Sequence, residues 1–110
     1  MQPKFKYNQY IVKKAREVKK ETFFGFGGIY SETNNVSYGV FKVTPYAPKD
    51  VEGTPMEFDI TYKVHLIPVG KNADNFCEMN YYTSDLRDVP EEMIFDDENL
   101  AQKFVDEFLA

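Results

Sequence analysis

The spacing of apolar residues near the start of the chain is typical of a helix. Across residues 8–21, apolar side chains recur at helical intervals and form one stripe. The stripe consists of Tyr7, Ile11, Ala15 and Val18, and the opposite side carries Lys13, Arg16 and Lys20. Asn8 is predicted to cap the first turn, because its side-chain oxygen can accept a backbone hydrogen bond there. The sequence therefore predicts an amphipathic N-terminal helix.

Beyond Thr22 the pattern becomes typical of β-strands. Strands are predicted at residues 23–30, 36–46, 56–66 and 75–83. The polar stretch 31–35 is predicted to be the hairpin connection between the first two strands. Residues 56–66 alternate between apolar and polar side chains, which predicts a half-buried antiparallel strand.

The last part of the sequence again predicts helix. Pro90 is suited to the start of a short helical turn that reaches about Met93. Asp96, Asp97 and Glu98 then supply the negative charge that a helix N-terminus favours. The apolar stripe of this final helix consists of Ala101, Phe104, Val105 and Phe108.

Together these elements predict an α+β fold class. Sequential strands joined by short loops usually pair with their neighbours, so the four strands are predicted to form a four-stranded antiparallel sheet, a meander. An N-terminal helix and a C-terminal helix flank it, in the order α-β-β-β-β-α, and each buries its stripe on the sheet. All 110 residues are assigned to a single domain, which is large enough for one core.

The composition is that of a globular protein with many aromatic rings. Ten Phe and eight Tyr are present without any Trp. Tyrosine suits half-exposed sheet faces and interfaces, so Tyr38, Tyr62 and Tyr82 are candidate contact residues. The single cysteine, Cys77, excludes an internal disulfide and a zinc site built from several cysteines. No apolar run has the length of a membrane span or the form of a secretory leader, so a cytoplasmic location without membrane contact is expected.

Candidate catalytic and ligand-binding residues are few. Gly25, Gly27 and Gly28 lie inside a predicted strand rather than between a strand and a helix, so a bulge is favoured over a phosphate-binding loop. His65, the only histidine, lies on the same predicted strand as Asp59, about 20 Å away and beyond hydrogen-bond reach. We therefore predict no catalytic residue, no metal site and no cofactor, and no enzymatic activity. The alternative is a small-ligand binder or an enzyme with a pocket near His65.

Charge is sorted by sign along the chain. Residues 1–22 carry seven Lys and Arg against two Glu, a balance of +5. Residues 84–110 carry nine acids against two bases, a balance of −7, and residues 23–83 add −3 to give the overall −5. An acidic chain disfavours general nucleic-acid binding, which normally leaves a basic surface.

The acidic C-terminal segment is the main candidate for contact with another molecule. Its carboxylates are Asp85, Asp88, Glu91, Glu92, Asp96, Asp97 and Glu98. Complementary charge speeds encounter and sets the register of binding. The sequence therefore predicts a regulatory or inhibitory protein-binding module whose protein partner has a basic surface. A narrower hypothesis is a phage or mobile-element inhibitor that imitates the charge of nucleic acid.

Two alternatives stay open for the basic residues. Lys13, Arg16 and Lys20, on the outward side of the first predicted helix, could contact phosphates in a nucleic-acid-binding accessory protein. The basic helix could instead pair with the acidic segment, within one molecule or across a homodimer. Whether the two helices cover the same sheet face, so that these charges cancel, is not determined by the pattern.

Overall fold

The structure, a computed structural model, describes residues 7–23, 26–45 and 63–109. Its five strands are β1 (Tyr10–Phe23), β2 (Phe26–Pro45), β3 (Lys63–Val69), β4 (Met79–Tyr82) and β5 (Ile94–Phe95). The helix α1 (Glu98–Phe104) follows β5 and continues into a π-helical turn, Val105–Leu109. Short 3₁₀ turns lie at Ala73–Asn75, Thr83–Leu86 and Glu91–Met93.

Neighbouring strands all run antiparallel, in the order β4-β3-β2-β1-β5. β1 to β4 form a meander, and β5 then pairs with the start of β1, through Tyr10 with Phe95 and Ile11 with Ile94. The α+β class and the antiparallel sheet are confirmed. The prediction of four strands flanked by two helices is wrong, because the described residues contain five strands, one C-terminal helix and no N-terminal helix.

The N-terminal helix predicted over residues 8–21 is wrong because its apolar spacing also fits a strand. Tyr7, Ile11 and Ala15 are separated by even numbers of residues, which places them on the same face of a β-strand. All three pack into one core of the sheet. Val12 is buried on the opposite face, so β1 is apolar on both sides at this point and its strand alternation is concealed.

Asn8 therefore caps no helix. It adopts a left-handed backbone conformation with a φ of 71° in the turn before β1, which asparagine tolerates better than most residues. Its backbone N–H donates to the carbonyl of Val43 at 2.6 Å, and the N–H of Val43 donates back to the carbonyl of Gln9 at 2.9 Å. The turn thus joins the start of β1 to the middle of the sheet.

The polar stretch 31–35 is a bulge within β2 and not the predicted hairpin connection. β2 runs through this stretch without a break, so most of the first two predicted strands is one strand. Between Arg16 and Val18, one residue of β1 faces three residues of β2. The hydroxyl of Thr33 donates to the carbonyl of that single residue, Glu17, at 3.0 Å. A local change in pairing, rather than a turn, therefore uses these polar side chains.

The two later predicted strands are each present in part. Residues 63–66 of the predicted strand 56–66 lie in β3, where Val64 and Leu66 are buried and Lys63 is exposed; residues 56–62 lie outside the described residues. The predicted strand 75–83 is shorter in the structure, where β4 contains four residues. A 3₁₀ turn at Ala73–Asn75 occupies the start of that range.

Both faces of the sheet are covered, so the protein has two cores. On the first face the buried residues are Tyr7, Ile11, Phe41, Val43, Val64, Leu66, Phe76 and Leu86. Phe76 and Leu86 come from the irregular chain on either side of β4. On the second face, Ala101 and Val105 from the C-terminal helical segment pack with Val12 and Val40. The helix thus covers one face, and irregular chain covers the other.

Gly39 shows how closely the irregular chain approaches the first face. A Cβ atom at this position would lie 2.7 Å from Cε2 of Phe76 and 3.0 Å from the ring of Phe41. The two rings meet edge to face, with their centroids 5.4 Å apart, which is a favoured aromatic geometry. Any larger residue at Gly39 would displace this ring pair.

β1 and β2 extend beyond the other strands as a two-stranded ribbon. β5 pairs only with Tyr10 and Ile11, and β3 pairs with residues Val40 to Pro45 of β2. Beyond those points, within the described residues, β1 and β2 are paired only with each other, up to Phe23 opposite Phe26. The basic residues of β1 lie largely on this ribbon.

Candidate interaction surface

The acidic segment, residues 85–98, connects the two edges of the sheet. It leaves β4 at one edge, returns through β5 at the other and ends in the first turn of α1. Leu86 is fully buried in the first core, and Ile94 pairs with Ile11. Pro90 immediately precedes the 3₁₀ turn Glu91–Met93, where the sequence predicts a short helical turn. The segment is therefore fixed to the sheet at several points along its length.

Two of its carboxylates cap helical turns. Asp97 is the N-cap of α1, and its Oδ1 accepts the backbone N–H groups of Asn99 at 2.7 Å and Leu100 at 3.1 Å. Asp85 Oδ2 accepts the N–H of Tyr82 at 2.9 Å, at the start of the turn Thr83–Leu86. Both carboxylates satisfy backbone donors that a helix end would otherwise leave without a partner.

Two more carboxylates join separate parts of the fold. Glu98 Oε1 accepts the backbone N–H of Gly70 at 3.2 Å, which links the start of α1 to the end of β3. Gly70 has a φ of 81°, and the residue after it, Lys71, donates its own N–H to Gln102 of α1 at 3.1 Å. Asp96 accepts a hydrogen bond from the side-chain amide of Gln9, just before β1. These contacts hold α1 and the turn before β1 in place.

The remaining three carboxylates, Asp88, Glu91 and Glu92, are exposed. No hydrogen bond or ion pair to them is found among the described residues. They lie within five consecutive residues, so three negative charges are close together on the surface. The seven predicted contact residues thus divide into four that stabilise the fold and three that face solvent.

A groove lies between this acidic segment and the base of the ribbon. Its volume is about 320 Å³, and its lining includes Lys13, Lys14 and Tyr38 on the sheet side and Asp85 and Asp88 on the segment side. Lys14 Nζ lies 5.9 Å from the centroid of the Tyr38 ring, within the range of a cation–π contact. Basic and acidic residues from the two ends of the sequence therefore meet here within one molecule.

The helix end carries a second group of charges. Lys71 Nζ lies 2.7 Å from Asp106 Oδ1, and its hydrogen bond holds the pKa of Asp106 below the usual value. Gln102 donates to the same oxygen at 3.1 Å. Lys103 and Glu107 form a looser pair at 3.9 Å. The C-terminal helical segment is thus acidic at its end, with two lysines offsetting part of the charge.

The basic residues predicted to share one helical face lie on β1 instead. By strand alternation Lys13 and Arg16, three residues apart, point to opposite faces. Lys13 Nζ lies 5.5 Å from the centroid of the Tyr81 ring, and Arg16 pairs with Glu32 at 3.2 Å. Lys20 lies further along the same strand. The common outward face on which these three cations were placed does not exist, because it depended on the helix.

His65 lies on β3, where its Nδ1 is 2.9 Å from Glu78 Oε1. Asp59 lies outside the described residues. The largest groove near this pair has a volume of about 450 Å³ and is lined by Glu78, Asp74, Cys77 and apolar residues. The described residues hold no group of three or more His, Cys, Asp or Glu side chains arranged to bind a metal. The geometry brings no nucleophile to His65.

The other candidate residues are distributed widely. Cys77 is half-buried, whereas a buried position was expected. Tyr38 is half-buried beside Lys14, Tyr82 is exposed on β4, and Tyr62 lies outside the described residues. Gly27 and Gly28 lie within β2, away from any helix N-terminus, and Gly25 lies outside the described residues.

An exposed apolar stripe on the C-terminal helical segment was missed. Phe104 and Phe108 were predicted to be buried together with Ala101 and Val105. The segment instead buries Ala101 and Val105 against the sheet and leaves Phe108 69% exposed. Leu100 continues the stripe at the same spacing and is 56% exposed. The four-residue spacing of Leu100, Phe104 and Phe108 was the available signal in the sequence.

No protein-family model matches this chain, and neither a curated protein nor a solved structure was found to resemble it. In the described residues, no helix combines the length and the apolar character needed to cross a membrane.

Proposed function

We propose that this protein is a non-catalytic protein-interaction module that binds a basic partner through its acidic C-terminal segment. The observation that carries the proposal is the separation of the carboxylates into two groups. Asp85, Asp96, Asp97 and Glu98 stabilise turns and the helix, whereas Asp88, Glu91 and Glu92 are exposed and close together. Clustered like charges destabilise a compact state. A basic partner surface would relieve that repulsion and complement the potential.

The anchoring of the segment supports the same proposal. Leu86 is buried, β5 is paired with β1, and Asp97 caps α1. The backbone that carries Asp88, Glu91 and Glu92 is therefore ordered before binding, so association requires less loss of conformational entropy. A regulatory or inhibitory module that acts by surface complementarity needs this kind of pre-organised charge.

The test is a charge reversal confined to the exposed group. The variant Asp88→Lys/Glu91→Lys/Glu92→Lys should lose a protein partner that the parent retains from lysate at low salt and releases at high salt. The matched control is Glu32→Lys/Glu78→Lys/Glu107→Lys, which changes the net charge equally at exposed sites outside the segment and should retain the partner. Absence of any salt-sensitive partner, or equal retention by both variants, would contradict the proposal.

A narrower form of the proposal concerns the partner's basic surface. An inhibitor that imitates nucleic-acid charge presents carboxylates where phosphates would bind. In that case a DNA duplex should displace the captured partner competitively, and the partner bound to this protein should lose its own nucleic-acid binding. Displacement by salt but not by DNA would restrict the proposal to protein docking alone.

The projecting ribbon supports a second candidate, which is nucleic-acid contact through β1. A two-stranded β-ribbon fits the major groove of DNA, and β1 carries Lys13, Arg16 and Lys20. The ion pair of Arg16 with Glu32 uses one of these cations within the fold. Replacing all three with Ala should abolish binding of a labelled duplex at low salt if the candidate is correct. No binding by the parent protein, or unchanged binding by the variant, would exclude it.

A further inference from the structure

The C-terminal helical segment carries an apolar stripe on the side that does not pack on the sheet. Leu100, Phe104 and Phe108 recur every four residues, and Leu100 and Phe108 are 56% and 69% exposed. The segment needs only Ala101 and Val105 for its contact with Val12 and Val40. Scattered apolar residues on a surface are ordinary, but an aligned set on one helix marks a contact surface.

The rings of this stripe are held in a fixed arrangement. The centroid of Phe104 lies 5.5 Å from that of Phe95 in β5 and 5.2 Å from that of Phe108. The three rings form a continuous row from the edge of the sheet to the end of the helical segment. Aromatic side chains have few rotatable bonds, so such a row provides contact area at a low entropic cost on binding.

The charges around the stripe restrict what can cover it. Asp96 and Asp97 lie at its start, and Asp106 and Glu107 lie at its end. Across residues 96–109 there are five acids and one lysine, a net charge of 1 − 5 = −4. In a pair of identical copies, a parallel arrangement would place start against start and an antiparallel one start against end. Acidic residues would oppose acidic residues in both cases, which disfavours a second copy.

We propose that Leu100, Phe104 and Phe108 are the apolar anchor of the acidic docking surface, and that they pack against an amphipathic helix of the partner whose apolar face is flanked by Lys or Arg. This inference rests on the proposed function, because it identifies the apolar centre that an acidic surface alone lacks. Two helices pack through such rows of side chains. The eight residues from Leu100 to Phe108 span roughly 12 Å, so a partner helix of two to three turns would cover the stripe.

The probe is a labelled 18-residue helical peptide with a leucine stripe flanked by lysines. Its binding to the full chain is measured by fluorescence anisotropy. Saturable binding by the parent should weaken about tenfold or more in Leu100→Ala/Phe108→Ala, because truncation of buried apolar anchors has effects of this size. The matched control is Val36→Ala/Tyr82→Ala, which removes two exposed apolar side chains elsewhere and should leave the affinity unchanged. Circular dichroism of each variant checks that it is folded.

Three results would overturn the inference. The first is no saturable binding by the parent. The second is equal weakening by the stripe variant and the control variant. The third is self-association of the parent in sedimentation equilibrium that the stripe variant abolishes, because a second copy would then be the occupant.

A parallel series with a peptide in which glutamates replace the lysines separates the two proposals. Weak binding of this peptide is expected. Equal binding of both peptides, with loss of both in the stripe variant, would retain the stripe as a contact site but contradict the acidic docking surface. Loss of binding in the Asp88, Glu91 and Glu92 reversal variant, with no effect of the stripe variant, would contradict the stripe alone.

Discussion

On the first face of the sheet, eight residues are buried beneath irregular chain, whereas on the second face four are buried beneath a helical segment. The larger core contains Phe41 and Phe76 in edge-to-face contact. The smaller one closes through Ala101 and Val105, and its helix leaves apolar side chains exposed. Regular secondary structure is therefore not where most of the buried surface lies. The difference indicates that the first face provides most of the stability, whereas the second face supports a display surface.

The largest effect is expected from a cavity in the first core. Phe41→Ala should lower the free energy of unfolding by about 3–5 kcal/mol, because it removes a fully buried ring together with its contact to Phe76. Urea denaturation followed by far-UV circular dichroism measures this change. Tyr82→Ala removes an exposed ring and is the control, with little effect expected. A loss in Phe41→Ala no larger than that in Val105→Ala would show that the two faces contribute equally.

A smaller loss is expected from the second core. Val105→Ala removes two buried methyl groups beside Val12 and Val40, and should lower the free energy of unfolding by about 2 kcal/mol. Hydrogen exchange should increase in the C-terminal helical segment more than in β2 and β3 if the layers are separable. Uniform exchange throughout the protein would instead indicate that the two cores unfold together.

The helix cap provides a still smaller and more local change. Asp97→Ala removes the acceptor for the N–H groups of Asn99 and Leu100, and should lower the free energy of unfolding by about 1 kcal/mol. Asp97→Ser keeps a capping oxygen and should recover most of the loss. Equal destabilisation by both variants, measured by thermal unfolding, would show that the charge rather than the hydrogen bonds is responsible.

The smallest effect concerns the ion pair that joins the second layer to the turn after β3. The hydrogen bond from Lys71 lowers the pKa of Asp106 below its model value of 3.8, so Lys71→Met should raise this pKa toward the usual range. Because the folded-state pKa is depressed, the pair stabilises the protein above the unfolded pKa. That contribution is lost as the pH falls through the folded pKa. Carbon-detected NMR titration of Asp106 measures the shift, and Lys103→Met is a control that should change it less.

The strand β1 shows why part of this fold could not be read from local pattern. The spacing of Tyr7, Ile11 and Ala15 fits both a helical and a strand period, and the buried Val12 removes the alternation that would separate them. Pairing with β2 along nearly the whole strand decides the outcome, and that pairing is a long-range interaction. Local propensity is a weak guide where tertiary contacts compete with it.

Other features were readable because their causes are local. Pro90 precedes a short turn, and Asp97 begins a helix, as residues with a fixed φ or a capping oxygen do. The roles of the individual acidic residues were not readable. Asp85 and Glu98 receive backbone N–H groups from Tyr82 and Gly70, and in the Glu98 case the donor lies 28 residues away. Only the folded geometry separates these carboxylates from exposed ones such as Asp88.

The pairing of β5 with β1 has a consequence for how the chain reaches this structure. Residues 10 and 95 are partners across 85 positions of sequence, so the sheet cannot be completed until nearly all of the chain has left the ribosome. Contacts of such long sequence separation slow folding, because a large loop must close before they form. We expect the meander β1 to β4 to assemble first and the C-terminal segment to dock last. A nascent chain arrested before residue 94 would then expose the very strand that the finished protein encloses.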